Sequence, residues 1–170
     1  MPRTPASRLA DALRDADLGL RRGVVDLAPA SDAWARAFAG IHEVLAETAP
    51  PSVVAIEHIG STSVPGLDAK PILDVGIAVR SGTPLASLDG WLTGLGMLLR
   101  GDATDVRPDR MYGYELEPMI RLANVHVVEA GSEDLRRYLA FRDHLRASPS
   151  DRDAYGALKR ALAARHPDHR

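Results

Sequence analysis

Apolar positions recur along this chain with two periods, and the change from one to the other lays out the elements. Leu9, Leu13 and Ala16 follow a helical spacing with Arg and Asp between them. This predicts a short amphipathic helix in an N-terminal extension, residues 1–22, less securely attached than the rest of the chain. Ser31 and Asp32 offer a cap, and Trp34, Phe38, Ile41 and Leu45 fall on one stripe until Pro50 and Pro51 end the helix. Residues 53–59 and 72–79 read as strands. Residues 84–96 predict a short helix with a glycine end, 97–100 a brief strand, and 101–109 a polar loop rich in Asp and Arg. Residues 110–117 and 120–129 read as two strands joined at Pro118, an antiparallel hairpin. Residues 133–147 form a helix with acids in its first turn and arginines later. Ser148-Pro149-Ser150-Asp151 starts another, whose apolar stripe is Tyr155, Leu158 and Leu162. The sum is an α/β protein of the α+β type: over residues 23–170, a mixed sheet of roughly four to six strands flanked by helices.

Composition narrows the function classes. The 170 residues are 45% hydrophobic and 26% charged, which is globular. A net charge of −2 gives no global attraction to nucleic acid or to an acidic membrane surface, so phosphate binding has to be local. Without cysteine there is no disulfide scaffold, thiolate metal site or thiol catalysis. No run has the length of a signal peptide or a membrane span, and a cytoplasmic location is expected. Lys70 and Lys159 are the only lysines; every other Lys/Arg position is arginine.

The densest chemistry lies between residues 57 and 75. A strand enters the turn Gly60-Ser61, three hydroxyls follow at Ser61, Thr62 and Ser63, then Pro65-Gly66, Lys70 and a second strand holding Asp74. Glycine permits a sharp turn and close approach to a ligand, hydroxyls and turn amides suit an anion, and Lys70 supplies a point charge for phosphate. The sequence is not a Walker loop, because the Gly-Lys-Ser/Thr ending is absent. Read as composition alone, the stretch is equally well an ordinary polar turn. Asp74 shares a strand face with Gly76 and Ala78, opposite the apolar Leu73, Val75, Ile77 and Val79, and the small residues would leave room for a ligand. A carboxylate among apolar neighbours needs a partner: a metal, or Lys70 or an arginine in a structural salt bridge. His126 shares a face with Asn124 and reads either as a packing histidine or as part of a wet functional face. Glu115 and Glu117 read as a solvated face, and His58 as a residue that orients the loop. Arg142 sits on the apolar stripe of its helix and needs an acceptor: Asp74, a phosphate or another carboxylate. Lys159 could reach the same region, although a surface role is the first reading.

Glu57 to Leu67, then Ala69-Lys70-Pro71-Ile72-Leu73-Asp74, resembles the GrpB-like family, as do Val125-His126-Val127, Phe141 to Arg146 and Tyr155…Leu158-Lys159. The likeness spans residues 24–165. It implies a nucleotidyltransferase-type fold, in which a Gly-Ser turn binds a nucleoside triphosphate and alternating acids hold magnesium. Relatives of this kind also occur fused behind dephospho-coenzyme A kinase domains. Gly60 and Ser61 match the turn and Asp74 the first acid; the alternate position is Gly76, not an acid, and His126 stands on the strand of the third. Two functions are expected on this basis. One is transfer of a nucleoside monophosphate from a triphosphate to an acceptor. There Gly60, Ser61, Thr62 and Ser63 cradle phosphates, Asp74 and His126 hold Mg²⁺ or do the chemistry, and Lys70 and Arg142 stabilise phosphate charge. The other is a catalytically degenerate module that binds a nucleotide or other phosphorylated ligand, linked to coenzyme A metabolism. Neither involves nucleic acid or a membrane.

Overall fold

Two hydrophobic surfaces built by strand alternation organise the molecule, one buried throughout and one covered over only part of its length. The computed structural model describes residues 3–101 and 109–165. Its elements are α1 (Pro5–Arg14), β1 (Leu20–Arg21), α2 (Asp32–Thr48), β2 (Val53–Ile59), β3 (Leu73–Val79), α3 (Asp89–Gly94), β4 (Leu98–Gly101), β5 (Arg110–Glu117), β6 (Ile120–Glu129), α4 (Glu133–Ala147) and α5 (Pro149–Arg165). Among the described residues six strands form one mixed sheet in the order β2-β3-β6-β5-β4, with β1 pairing the start of β6. The β3–β6 pair is parallel and the others are antiparallel. This is the mixed sheet with flanking helices that the periodicity predicts. No helix of the described residues is long and apolar enough to cross a membrane.

One face of the sheet carries Leu73, Val75, Ile77, Val125, Val127 and Tyr112, all fully buried under α1 and α2. Trp34, Ile41 and Leu45 of α2 lie in this core as their spacing requires. The N-terminal helix is not the loose appendage its sequence suggests. Leu9 and Leu13 are wholly buried in the same core, Thr4 caps the helix, and Gly40 of α2 lets Ala12 approach. The short strand β1, which the apolar pattern does not predict, ties the segment to β6.

The second face is covered at one end only. Leu135, Tyr138 and Leu139 of α4 pack on Ala78 and Val128. Ile59 lies over Gly76, within 3.4 Å of where a side chain there would begin. The space that the small residues Gly76 and Ala78 were expected to leave for a ligand is therefore filled by protein. The open part of this face is the Asp74–Asn124 end.

Two further expectations change, and a third falls largely outside the described residues. Residues 84–96 divide into a 3-10 turn, Leu85–Leu88, and the short α3, because Gly90 and Gly94 weaken a longer helix. Of the polar stretch 101–109, residues 102–108 lie outside the described residues. Only part of the apolar stripe assigned to the last helix faces the core: Tyr155 packs on Val64, Leu67 and Leu145, whereas Leu158 and Leu162 are 55% and 46% exposed. Beside Tyr155, α5 packs through Gly156, against Leu67, and through its cations.

Candidate functional site

The loop between β2 and β3 is shaped by its own backbone needs. Gly60 has φ +70° and ψ −172°, a conformation open to glycine and few others. Its α-carbon faces Asp74 so closely that a Cβ there would stand 2.5 Å from Asp74 Oδ2. Residues Ser61–Ser63 then make a 3-10 turn, in which the Ser63 hydroxyl donates to the Gly60 carbonyl at 2.6 Å. The turn is clamped from outside. Arg146 donates through Nε and Nη2 to the Ser63 carbonyl at 2.9 and 2.7 Å. Further along, Lys159 Nζ donates to the Asp68 carbonyl at 2.9 Å and Arg160 to the Asp68 carboxylate at 2.8 Å.

His58 sits behind the turn. Its Nε2 lies 3.0 Å from the Thr62 hydroxyl and its ring stacks on Phe38 at 4.7 Å. Burial, then the nearby Arg146, lowers its pKa to about 4, so the ring is neutral at pH 7. The geometry is that of a residue orienting the loop.

A cavity of about 190 Å³ opens in front of the turn, lined by Ser61, Thr62, Lys70, Asp74, Asn124 and Lys159 with Ala69 and Ile72. A neighbouring hollow of about 260 Å³ shares Lys70, Ile72 and Asn124 and extends the space to Met111 and Arg121. Four of the residues picked from sequence, Ser61, Thr62, Lys70 and Asp74, thus line one space. Gly60 supports it from below. Ser63 faces a separate cavity of about 270 Å³ behind the loop, with Trp34, His58 and Arg146. Arg142 does not line the cleft. It donates to Glu57 at 2.8 Å, to the His58 carbonyl at 3.1 Å and to Asp143 at 2.7 Å, so its acceptor is a carboxylate on β2 rather than Asp74.

The acidic side of the cleft is one continuous chain of hydrogen bonds and ion pairs. Asn124 donates to Asp74 Oδ1 at 2.9 Å and accepts from Arg121 at 2.7 Å. Arg121 is buried, lies flat on Gly113 where any side chain would collide with it, and continues to Glu115. Glu115 also pairs with Arg100, so it is not the solvated residue expected; Glu117 is exposed. On the other flank of Asp74, His126 Nε2 stands 3.6 Å from Oδ1 while its Nδ1 lies 2.5 Å from Asp109. Burial disfavours charge on this imidazole, but the hydrogen bonds to Asp109 and Asp74 outweigh that and push its pKa up to about 9. At neutral pH it is an imidazolium between two carboxylates, closed over by the ring of Tyr138.

Two participants are not evident from sequence. Asp109 is one acid among several in a polar loop, although counting back along the hairpin from Glu117↔Ile120 puts Met111 opposite His126 and Asp109 on the same face. Lys159 reaches the cleft rather than the outer surface, because Gly156 lets α5 approach Leu67.

Comparison with known proteins agrees with this architecture. The chain is 38% identical over 138 residues to the UPF0157 protein YqkA of Bacillus subtilis, covering 81% of this chain and 39% of that protein. It is 37% identical over 149 residues to a UPF0157 protein of Pseudomonas aeruginosa, covering 86% of this chain and 60% of the relative. The chain thus spans less than two thirds of the length of these two relatives. With the glutamate-rich protein GrpB of Alkalihalophilus pseudofirmus it shares 27% identity over 153 residues, 89% of this chain and 88% of that one. The crystal structure of conserved protein GrpB from Enterococcus faecalis superposes with a TM-score of 0.73 at 30% identity, covering 84% of this chain and 86% of that one. The family profile described as GrpB protein matches residues 24–170, and the chain belongs to the GrpB family.

Proposed function

We propose that this protein is a binding module for a phosphorylated small molecule, with nucleotides the first class to test, and that the ligand's phosphate lies in the cleft between the Ser61 turn and Asp74. The observation that carries this reading is the imbalance within the cleft. Its carboxylate, Asp74, is already engaged by Asn124 and His126, whereas the Lys70 ammonium has no hydrogen-bond partner and that of Lys159 only a backbone carbonyl among the described residues. Ser61 and Thr62 add hydroxyls beside those ammonium groups.

The donor set argues against the magnesium centre that the nucleotidyltransferase resemblance implies. His126 Nδ1 is taken by Asp109, and its Nε2 lies 3.6 Å from Asp74 Oδ1, so the imidazole and the acid are engaged with one another. Asp74 Oδ1 accepts from Asn124, and Gly76 stands where a second acid is needed. Among the described residues no group of three or more His, Asp or Glu is arranged to hold an ion. Phosphate binding at the two lysines requires none.

One observation favours transfer chemistry as a second reading: the Gly60-Ser61 turn is seated directly on Asp74, at the spacing the resemblance predicts. Calorimetric titration with ATP, AMP and coenzyme A, with magnesium or with a chelator, paired with a pyrophosphate-release assay, separates the two. The module reading predicts binding that survives chelation and no release. Release of pyrophosphate from ATP with magnesium, abolished in Asp74→Ala, would replace it with nucleotidyl transfer.

A further inference from the structure

We infer that Lys159, reaching in from α5, is the second ammonium of an anion subsite whose first is Lys70, and that the group bound there is a dianionic phosphate monoester rather than a singly charged phosphodiester or carboxylate. This rests on the reading of the cleft as a phosphate site and adds to it the charge class of the ligand.

The choice of cation points this way. Where Arg142, Arg146 and Arg160 tie a carbonyl or carboxylate in place, the protein uses a guanidinium fork. Its only lysines, far apart in sequence, line the same cavity. An ammonium differs from a guanidinium in being a compact point charge whose proton affinity moves with its surroundings.

So does the lack of compensation. Lys159 Nζ donates to the Asp68 carbonyl at 2.9 Å and lies 5.6 Å from the Tyr155 ring centroid. The nearby carboxylates are engaged elsewhere: Asp68 by Arg160 at 2.8 Å, Asp74 by Asn124 at 2.9 Å. Two positive charges therefore face one small cavity, against the single carboxylate of Asp74, which is itself paired with His126. Each repels the other, and a dianion between them relieves that repulsion while gaining twice the attraction a monoanion would.

The repulsion acts on the proton affinity of Lys159. Burial, then the charge of Lys70, brings its pKa down to about 8, against the opposing pull of Asp68 and Asp74. A bound dianion reverses the balance and raises it. Near pH 8 the free site is partly deprotonated, so binding takes up protons from solution.

The test is calorimetry at about pH 8, in two buffers of different ionisation enthalpy, with AMP (a monoester already dianionic there) and cyclic AMP (a singly charged diester). The wild-type protein is expected to bind AMP about tenfold or more tightly than cyclic AMP, with net proton uptake. Lys159→Met should lose about tenfold in AMP affinity together with the preference. Lys70→Met should both weaken binding and shrink the proton uptake, because Lys159 then no longer has a cation beside it; a merely structural role for either lysine would not move that quantity. Binding of AMP with no proton uptake, and unchanged in Lys159→Met, would overturn this inference while leaving the phosphate site standing. Failure of the wild-type protein to bind AMP, ATP or inorganic phosphate would remove the site and the inference together.

Discussion

At its carboxylate end the cleft is fully wired: Asp109, His126, Asp74, Asn124, Arg121 and Glu115 form a chain in which every charge meets a partner. At its cationic end, Lys70 and Lys159 face the same cavity with no carboxylate in ion-pair contact among the described residues. The first arrangement is what burial demands, since an unpaired charge away from water costs several kcal/mol. The second is tolerable only because the lysines stand partly in solvent. Side chains at the wired end are therefore built for stability and geometry, and those at the open end for a ligand. Substitutions should divide accordingly, with stability lost at one end and affinity at the other.

The largest effect is expected at Asp109. Its side chain is 5% exposed and supports an imidazolium, so Asp109→Ala leaves a buried positive charge short of a partner. The loss should be about 3 kcal/mol, read from urea denaturation. A loss within the range of an ordinary surface change would mean the chain of hydrogen bonds is not a structural unit. Next comes Gly60→Ala. Here the backbone conformation and the collision with Asp74 Oδ2 combine, for a cost on the order of 2–3 kcal/mol. It should also weaken AMP binding, because relief of the collision moves the turn or the acid out of place. Wild-type stability in Gly60→Ala would show that turn and strand are not in contact.

Two histidines give opposite pH slopes. His126 is raised to about 9, so its contribution is fully present below its unfolded value near 6.5 and is lost as pH rises through about 9. His58 is lowered to about 4, so stability falls as pH drops from about 6.5 towards 4. Denaturation midpoints across this range should trace both arms. His126→Gln should flatten the alkaline arm, on the order of 2 kcal/mol, and leave the acid arm in place. An alkaline arm that persists in the variant would assign it to another group.

The smallest stability effect belongs to the open end. Lys70→Met should change the stability by less than about 0.5 kcal/mol while reducing AMP affinity, since it removes a repulsion and no bond. A destabilisation as large as that of Asp109→Ala would erase the difference between the two ends.

The same contrast explains what is legible in the sequence. The strands and helices are, because their apolar periods are regular, and so is the Gly60–Asp74 stretch, because turn, hydroxyls, lysine and acid follow one another directly. Glu115 is not, because its partner Arg121 faces it across a bulge of the hairpin, and Asp109 is not, because it is one acid among several in a polar loop. Lys159 is hidden for a different reason. The last helix shows a plausible stripe in Tyr155, Leu158 and Leu162, yet of these only Tyr155 packs inward, and the helix also docks through Gly156 and uses cations to satisfy the carbonyl and carboxylate of Asp68. Hydrophobic periodicity is silent about a helix held by a loop's polar groups.

A crystal soaked with ATP and Mn²⁺ would decide whether the cleft is a cationic phosphate site or a metal centre, because anomalous scattering separates metal from phosphate. Phosphate density is predicted against Lys70, Lys159 and the Ser61 hydroxyl, with His126 still bridging Asp74 and Asp109 and no manganese peak between them. A manganese ion coordinated by Asp74 and His126, with the triphosphate turned towards it, would contradict the phosphate-module reading.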